Sequence, residues 1–240
     1  MRVDVLGVGF DSMTVEEAVS HAQWVIQSGG GSFVVTPNPE IVWMARKDTA
    51  LHSAINHAGL VLPDGIGIII AARILGTPLE KGRVTGIDFT EALLGKMAQS
   101  GGRVFLLGAK PGVAEEAARK LAEKHQGLAV VGALDGYFTD DGPVIEQISL
   151  ARPDLLLVCL GAPKQERWMA SNAARSGVPL CIGLGGALDV YAGRVKRAPP
   201  FICKIGLEWF YRLICEPRRI KRMFKLPLFL LAAIWKRITR

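Results

Sequence analysis

A lone carboxylate follows a short apolar run in the first third of the chain. Asp64 lies in the segment Pro63-Asp64-Gly65-Ile66-Gly67, and its neighbours are almost wholly apolar. A carboxylate at the end of a strand can act as a general base and take the proton from a substrate hydroxyl. The alternative is that Asp64 only caps the helix that the following residues predict. Both roles stay open at the level of the residues.

A second polar group follows an earlier apolar run. Thr36-Pro37-Asn38-Pro39-Glu40 comes at the end of a strand predicted at residues 33–36. Asn38 before Pro39 is typical of a helix cap, because asparagine accepts from the first turn and proline suits the first helical position. Capping does not account for Thr36. Sites of α/β proteins form at such strand ends, so this segment is a second candidate.

Three glycine-rich loops each follow an apolar strand in the second half, at residues 108–112, 161–163 and 183–186. Backbone N–H groups in such loops favour phosphate, although glycine also simply turns a chain. Three in tandem predict a nucleotide crevice. The GxGxxG spacing fails at Gly7-Val8-Gly9 and again at Gly183-Leu184-Gly185. This disfavours a dinucleotide site and therefore an NAD-dependent oxidoreductase.

No residue pattern points to a metal ion or a cofactor. The chain has no Asp-x-Asp, and its four histidines stand at no metal-ligand spacing. We therefore expect a diphosphate leaving group to be stabilised by helix N-termini, Lys and Arg. Asp140-Asp141 is interpreted as a helix start.

The elements that must position these residues alternate between strand and helix patterns. This alternation predicts an α/β fold with a Rossmann-like, largely parallel sheet and helices on both faces. Predicted strands cover residues 3–6, 33–36, 60–62, 103–107, 128–131, 154–160 and 180–182. Predicted helices cover residues 14–28, 48–58, 66–75, 113–125 and 164–175, and one more begins at Pro39.

The charge is distributed unevenly. Residues 194–240 hold 13 Lys/Arg and two acids, which gives +11, whereas the whole chain has +7 and the rest therefore −4. We predict an α/β catalytic body over residues 1–193 and a basic, helical, membrane-binding appendage over residues 194–240. The apolar run at residues 226–235 is too short to span a bilayer but suits its interface. The alternative is a helix packed on its own domain or on a sister subunit, which leaves a homo-oligomer open.

The compartment is indicated by the cysteines and the first residues. The four cysteines form no CxxC pair, and no apolar stretch typical of a signal peptide follows Met1. A reduced, cytoplasmic protein is expected.

In a rival interpretation the chain is a non-catalytic nucleotide- or nucleic-acid-binding protein, and its basic tail binds RNA or DNA. Tail aromatics such as Trp209 and Tyr211 could stack on bases. The ten apolar residues at 226–235 argue against it, so we expect an anionic membrane surface as partner and no nucleic acid.

The motifs taken together resemble the WecG/TagA/CpsF glycosyltransferases, from near residue 1 to about residue 225. They are Thr36-x-Asn38, Pro63-Asp64-Gly65-x-Gly67, Arg83-x-Thr85-Gly86-x-Asp88, Leu107-Gly108-Ala109, Gly136-Tyr137-Phe138, Gly161-x-Pro163-Lys164-Gln165-Glu166 and Gly183-x-Gly185-Gly186. The tail motifs Glu208-Trp209-x-x-Arg212 and Glu216-Pro217-x-Arg219 look closest to the TagA branch.

This resemblance implies an inverting transfer of N-acetylmannosamine from UDP to undecaprenyl-diphosphate-N-acetylglucosamine. The lack of an Asp-x-Asp predicts that the transfer is metal-independent. The product would carry a β-1,4 bond and belong to wall teichoic acid synthesis, and the enzyme would lie peripherally on the cytoplasmic face of the membrane. The resemblance makes Asp64 the base and implies four sugar-pocket residues, three residues facing UDP and three tail arginines for the diphosphates. In that order they are Thr36, Asn38, Arg83 and Gln165; Gly108, Tyr137 and Asp189; and Arg212, Arg219 and Arg222.

Overall fold

A six-stranded sheet in which every neighbouring pair is parallel forms the centre of the computed structural model. The structure describes residues 2–204, 206–215 and 225–239. The strands are β1 (Val3–Val5), β2 (Val8–Phe10), β3 (Ser32–Val35), β4 (Leu60–Val61), β5 (Arg103–Gly108), β6 (Ala129–Leu134), β7 (Leu155–Cys159) and β8 (Leu180–Gly183). The sheet order is β4-β3-β8-β7-β5-β6, which confirms the predicted α/β class.

The chain begins with an antiparallel hairpin of β1 and β2 that stands apart from this sheet. The sequence predicted the first strand of the hairpin but not the second. Val5, Val8 and Phe10 are buried, so the hairpin covers one side of the core.

Twelve helices occur in the described residues, and their caps explain where several begin. They are α1 (Val15–Ser28), α2 (Pro39–Ala45), α3 (Thr49–His57), α4 (Ile66–Ile74), α5 (Gly86–Gln99), α6 (Val113–Lys124), α7 (Asp141–Ala151), α8 (Lys164–Ser176), α9 (Ala187–Tyr191), α10 (Pro200–Lys204), α11 (Glu208–Cys215) and α12 (Lys225–Ile238). The predicted capping box of Thr14 and Glu17 is present, and Asn38 and Asp140 cap α2 and α7. Helices α5 and α9 were not predicted.

Both faces of the sheet are buried, which explains why its strands are continuous apolar runs. Along β5, Val104 and Leu106 pack on one side with α1, α5, α6 and α9, while Phe105 and Leu107 pack on the other. That second side holds the hairpin and helices α2, α3, α4, α7, α8 and α12. The predicted helices on both faces are confirmed.

The strand order creates a crevice between β5 and β7. Strand β5 continues through α6 to β6 on one side, whereas its neighbour β7 continues through α8 to β8 on the other. Ligands of open parallel sheets bind outside the carboxyl ends of strands at such a reversal. The loops at residues 108–112 and 161–163 lie there, where the sequence predicts a nucleotide.

The last helix of the tail packs on the body. Phe229 and Ala233 of α12 are fully buried in the core shared with α2 and α4. Lys225 Nζ pairs with Glu40 Oε1 at 2.9 Å, and Lys236 Nζ pairs with Asp4 Oδ1 at 2.8 Å. The packed-helix alternative therefore describes one face of α12, while the opposite face exposes Trp235. The boundary at residue 193 stays a prediction.

Within the described residues, none of the helices combines the length and the apolar character that crossing a bilayer requires.

Candidate active site

A cavity of about 210 Å³ lies where β3 and β4 end and the tail folds back over them. Its lining includes three residues that the resemblance assigned to chemistry or sugar binding, Asp64, Asn38 and Arg83. The other lining residues are Pro39, Glu40, Gly65, Ile66, Gly67, Thr85 and Ile87 from the body and Gly206, Glu208, Trp209 and Leu226 from the tail. Body and tail thus enclose the candidate base together.

The backbone around Asp64 is fixed by its neighbours on two sides. Asp64 N donates to Pro37 O at 3.4 Å, and Val84 N donates to Pro63 O at 3.1 Å. The N-cap residue of α4 is Gly65, at φ 92°, and this cap has no side-chain hydrogen bond. The helix-cap alternative for Asp64 is therefore wrong, and its carboxylate lines the cavity instead.

Asn38 and Thr36 lie on the neighbouring strand end. Asn38 Oδ1 accepts from Ile41 N at 3.1 Å, so Asn38 caps α2 and also lines the cavity. Thr36 Oγ1 donates to Gly183 O at 3.3 Å and is not among the cavity's lining residues within the described chain. Thr36 joins the end of β3 to the loop after β8.

Arg83 holds the start of the tail. Its Nη2 donates to Cys203 O at 2.6 Å. Nearby, Arg197 Nη2 donates to Asp88 Oδ1 at 2.7 Å, and Thr85 Oγ1 donates to Asp88 Oδ2 at 2.6 Å. Burial opposes ionisation of Asp88, but these two hydrogen bonds and the nearby cations outweigh it and hold the pKa of Asp88 below its usual value. The tail is thus tied to the body by charge-assisted bonds beside the cavity.

Gly67 allows the tail to come close to the bottom of the cavity. A Cβ there would lie 2.6 Å from Pro39 Cγ and 2.7 Å from Leu226 Cδ1. Any side chain at this position would push either α2 or α12 away. This contact explains the need for glycine in the motif Pro63-Asp64-Gly65-x-Gly67 better than a turn does.

The second group of predicted residues lies at the β5–β7 crevice. Gly108 has φ 131°, and a Cβ there would lie 2.3 Å from Cys159 O, so only glycine fits. Ala109 N donates to Cys159 O at 3.1 Å, and Gly136 N donates to Ala109 O at 2.9 Å. Tyr137 follows and is 71% exposed. The loops after β5, β6 and β7 therefore form one surface of backbone and small residues.

A lysine side chain lies at the loop after β6, on one side of this crevice. Lys164 Nζ donates to Gly136 O at 3.0 Å and lies 4.6 Å from the centre of the Phe138 ring. It brings a positive charge to the loops that the sequence assigned to UDP.

Gln165 and Asp189 flank the loop that follows β8. Gln165 is 4% exposed, and its Oε1 accepts from Gly185 N at 2.8 Å. Asp189 is half-buried in α9, and its carbonyl accepts from Arg194 N and Val195 N. Contact of Gln165 with a sugar and of Asp189 with UDP stay predictions.

The three tail arginines are less fully placed. Arg212 belongs to α11, next to the cavity residues Glu208 and Trp209. Arg219 and Arg222 lie outside the described residues. Their contacts with diphosphates stay predictions.

Two further groups of side chains bear on the sequence predictions. The described ranges contain no group of three His, Cys, Asp or Glu that could hold a metal ion. Cys159 and Cys181 are buried free thiols, and burial raises the pKa of each to about 12. They are strand residues of the core, as their apolar surroundings in the sequence predicted.

Several residues that the structure brings to the site had no predicted role there. Glu208 and Trp209 line the cavity, and Arg197 and Asp88 tie the tail beside it. The signal for three of them was their place in the motifs Glu208-Trp209-x-x-Arg212 and Arg83-x-Thr85-Gly86-x-Asp88. Arg197 had no motif, because a single arginine in a basic tail looks like its neighbours.

Comparison with known proteins identifies the family. The model of the glycosyl transferase WecG/TagA/CpsF family matches residues 3–240. Three relatives carry the name N-acetylglucosaminyldiphosphoundecaprenol N-acetyl-beta-D-mannosaminyltransferase. The chain is 36% identical to the one from Bacillus spizizenii over 90% of its own length and 84% of the relative's. It is 37% identical to the one from Bacillus subtilis, over 85% of its own length and 79% of the relative's. It is 34% identical to the one from Staphylococcus aureus, over 95% of its own length and 91% of the relative's. The chain therefore belongs to the glycosyl transferase WecG/TagA/CpsF family.

Proposed function

We propose that this protein transfers N-acetylmannosamine from UDP to undecaprenyl-diphosphate-linked N-acetylglucosamine, with inversion and formation of a β-1,4 bond. The sugar and the acceptor come from the names of relatives that are 34–37% identical. One observation in the molecule carries the proposal: Asp64 lines a cavity with Asn38 and Arg83 at the carboxyl edge of a parallel sheet. The cavity is the place for the sugar, and the β5–β7 crevice is the place for UDP.

In the proposed reaction Asp64 acts as the base. Its carboxylate takes the proton of the acceptor hydroxyl, and the hydroxyl oxygen attacks the anomeric carbon of the donor sugar. The bond from that carbon to the diphosphate breaks, and UDP leaves with the electron pair. Attack from the face opposite UDP inverts the anomeric centre. General base catalysis typically supplies about 10²–10⁴-fold, so positioning and stabilisation of the leaving group must supply the rest.

Stabilisation of the leaving diphosphate is assigned to the protein's own groups. The loop after β5 leads into α6, whose first N–H groups favour negative charge. Lys164 stands at the adjoining loop, and Arg212, Arg219 and Arg222 of the tail are proposed to reach the diphosphates. No divalent metal takes part in this scheme.

The acceptor is a lipid, and the tail offers a surface for its membrane. The outer face of α12 exposes Leu231, Trp235 and Ile238, and the tail around it carries most of the chain's excess positive charge. Apolar side chains beside Lys and Arg suit the interface of an anionic bilayer. We propose peripheral binding to the cytoplasmic face of the membrane. The rival nucleic-acid-binding function is disfavoured, since the chain belongs to a family of transferases.

A turnover screen tests the function directly. The purified protein is incubated with each of several UDP-acetamido-sugars and a short-chain lipid-diphosphate-N-acetylglucosamine, and the disaccharide product is identified by mass and linkage. We expect turnover with UDP-N-acetylmannosamine and far less with UDP-N-acetylglucosamine. Turnover with another sugar alone would replace the donor in the proposal, and absence of turnover with every donor would refute it.

A further inference from the structure

Two adjacent polar side chains are buried beneath the loop at residues 183–186. Gln165 is 4% exposed and Glu166 is 1% exposed. Gln165 Oε1 accepts from Gly185 N at 2.8 Å, while Gln165 Nε2 donates to Glu166 Oε1 at 2.9 Å. Both ends of the Gln165 amide are therefore engaged inside the protein. This arrangement differs from a side chain that reaches out to hold a sugar.

Glu166 fixes the direction in which the Gln165 amide points. The oxygen and nitrogen of an amide have nearly the same shape, so packing alone does not choose between two orientations. An acceptor oxygen at Glu166 favours the orientation with Nε2 towards it. That orientation turns Oε1 towards the N–H of Gly185. The reverse orientation would place two donors face to face and leave buried polar groups unpaired, which is expensive in a protein interior.

The presence of an acid at this position carries a cost. The second carboxyl oxygen of Glu166 is buried and has no hydrogen-bond partner in the described part of the chain. Burial also raises the pKa of Glu166, since it disfavours the charged form. An apolar side chain of similar size would avoid this cost. The hydrogen bond from Gln165 Nε2 is the interaction in the structure that accounts for an acidic side chain at position 166.

The loop that these residues hold lies between the end of β3 and the end of β7. On its other side, Thr36 Oγ1 donates to Gly183 O at 3.3 Å, and Leu184 N donates to Val158 O at 3.0 Å. Gly185 itself has φ 57°, a conformation that few residues other than glycine adopt. The loop then leads into α9, which carries Asp189. Its position therefore bears on the nucleotide crevice, which the end of β7 borders.

We propose that Gln165 and Glu166 are positioning residues, which hold the loop at residues 183–186 in the conformation that receives the donor nucleotide. Gln165 acts through Gly185, and Glu166 acts through Gln165. This inference rests on the proposed function in one respect, namely that the crevice binds a UDP-sugar.

The experiment compares four variants with the full-length wild-type protein. Gln165→Leu and Glu166→Leu each break the chain of hydrogen bonds. Glu166→Gln keeps an acceptor oxygen for Gln165 and serves as the conservative rescue. Asn172→Leu is the matched control: Asn172 lies on the same helix, is 1% exposed and bonds Asp141, away from the loop. For each protein we measure melting temperature, UDP affinity by calorimetry, and kcat and KM for donor and acceptor.

We expect Gln165→Leu and Glu166→Leu to raise the donor KM and the UDP Kd about 10-fold. This factor corresponds to the loss of one hydrogen bond to a buried group. The acceptor KM and kcat should change by less than about 3-fold, since Asp64 and the tail cavity are untouched. Glu166→Gln should restore donor KM to within about 3-fold of wild type. Asn172→Leu should lower the melting temperature without raising donor KM. An unchanged donor KM in both leucine variants, or an equal rise in Asn172→Leu, would overturn the inference.

A measurement without substrate separates this inference from the proposed function. Amide hydrogen exchange at residues 184–187 should be slow in the wild type and in Glu166→Gln, and faster in both leucine variants. If the wild type neither binds UDP nor turns over, the proposed function fails, and the exchange rates still decide whether the pair holds the loop. Equal exchange in all the proteins would refute the positioning role.

Discussion

The two halves of the candidate site are built from different materials. The β5–β7 crevice is formed by backbone and glycine, with Gly108, Ala109 and Gly136 joined through main-chain hydrogen bonds. The cavity around Asp64 is formed by side chains, and Gly206, Glu208, Trp209 and Leu226 of the tail supply one of its walls. The main-chain surface of the crevice belongs to the body of the protein, whereas the cavity is complete only when the tail lies against the body.

This difference indicates a division of tasks. A preformed main-chain surface that leads into the N-terminus of α6 suits a ligand that every donor shares, the diphosphate of a nucleotide. A cavity that needs a second segment suits the step that must exclude water and admit a lipid-linked acceptor. Substitutions in the two halves should therefore separate donor binding from turnover and acceptor use.

The largest effect is expected from Asp64→Asn. The substitution keeps the size of the side chain but removes its ability to accept a proton at neutral pH. Turnover should fall by about 10²-fold or more while UDP affinity stays within about 2-fold. The measurement is steady-state turnover beside calorimetry with UDP. Near-normal turnover would remove Asp64 from the mechanism, and a large loss of UDP affinity would break the separation of the two halves.

The tail arginines come next. Arg219→Ala and Arg222→Ala each remove one of many positive charges, so liposome binding should scarcely change. A charge-assisted bond to phosphate is worth about 1.5–3 kcal/mol, which corresponds to roughly 10- to 100-fold in rate. Turnover of a soluble, short-chain acceptor should fall by that factor. Normal turnover in both variants would show that neither Arg219 nor Arg222 takes part in the chemistry.

Point substitutions are a sharper test of the tail than its removal. Deleting residues from about 195 onward would also remove Phe229 and Ala233 from the core of the body. Lost activity in such a truncation would therefore mix damage to the fold with loss of the site.

A smaller effect is expected from Asp88→Asn. The partly exposed pair of Asp88 and Arg197 is worth about 1 kcal/mol or less, so the acceptor KM should rise up to about 5-fold with donor binding unchanged. Faster limited proteolysis of the tail is the structural readout. Arg119→Ala, which breaks an exposed pair with Glu123 far from the cavity, is the control. A rise in the donor KM instead would show that the ion pair of Asp88 and Arg197 supports nucleotide binding at the β5–β7 crevice.

The pH dependence of that bond follows from the lowered pKa of Asp88 in the folded protein. A carboxyl whose folded pKa is depressed contributes its stabilisation fully above its unfolded pKa, about 3.9, and loses it as pH falls through the folded pKa. The difference between wild type and Asp88→Asn in tail protection should thus be constant from pH 6 to 8. A difference that disappears within that window would assign the titration to another group.

The smallest effect is expected from chelation. With EDTA in excess, turnover should stay within about 2-fold of its untreated value, since Lys and Arg are assigned to the leaving diphosphate. Complete loss restored by magnesium or manganese would overturn this assignment and place a metal at the crevice.

Local signals in the sequence predicted much of the fold. The boundaries of α1, α2 and α7 follow from caps that act within four residues, at Thr14, Asn38 and Asp140. Apolar runs marked the central strands because both faces of the sheet are buried. Strand β2 was missed because Gly9 interrupts its short apolar pattern, and α5 and α9 were missed because glycines open each of them.

The sequence predicted which edge of the sheet carries the candidate site, but not which tail residues line the cavity. Asp64 and Thr36 follow strands, and strand ends of a parallel sheet meet at one edge, so their neighbourhood followed from topology. The place of Trp209 depends on how the tail folds back, which no spacing in the chain specifies. The resemblance assigned Gln165 to the sugar pocket, whereas its burial depends on the loop after β8, where Gly185 N donates to its Oε1.

The pairing of Lys236 with Asp4 has a consequence for how the chain is made. These residues are 232 positions apart, so this ion pair joins the first hairpin to the last helix. During synthesis on the ribosome, the groove between α2 and α4 that receives Phe229 stays open until α12 has emerged. The nascent protein therefore carries an uncovered apolar surface while the residues between α4 and α12 are translated, and it is in this interval that a chaperone would find its binding site.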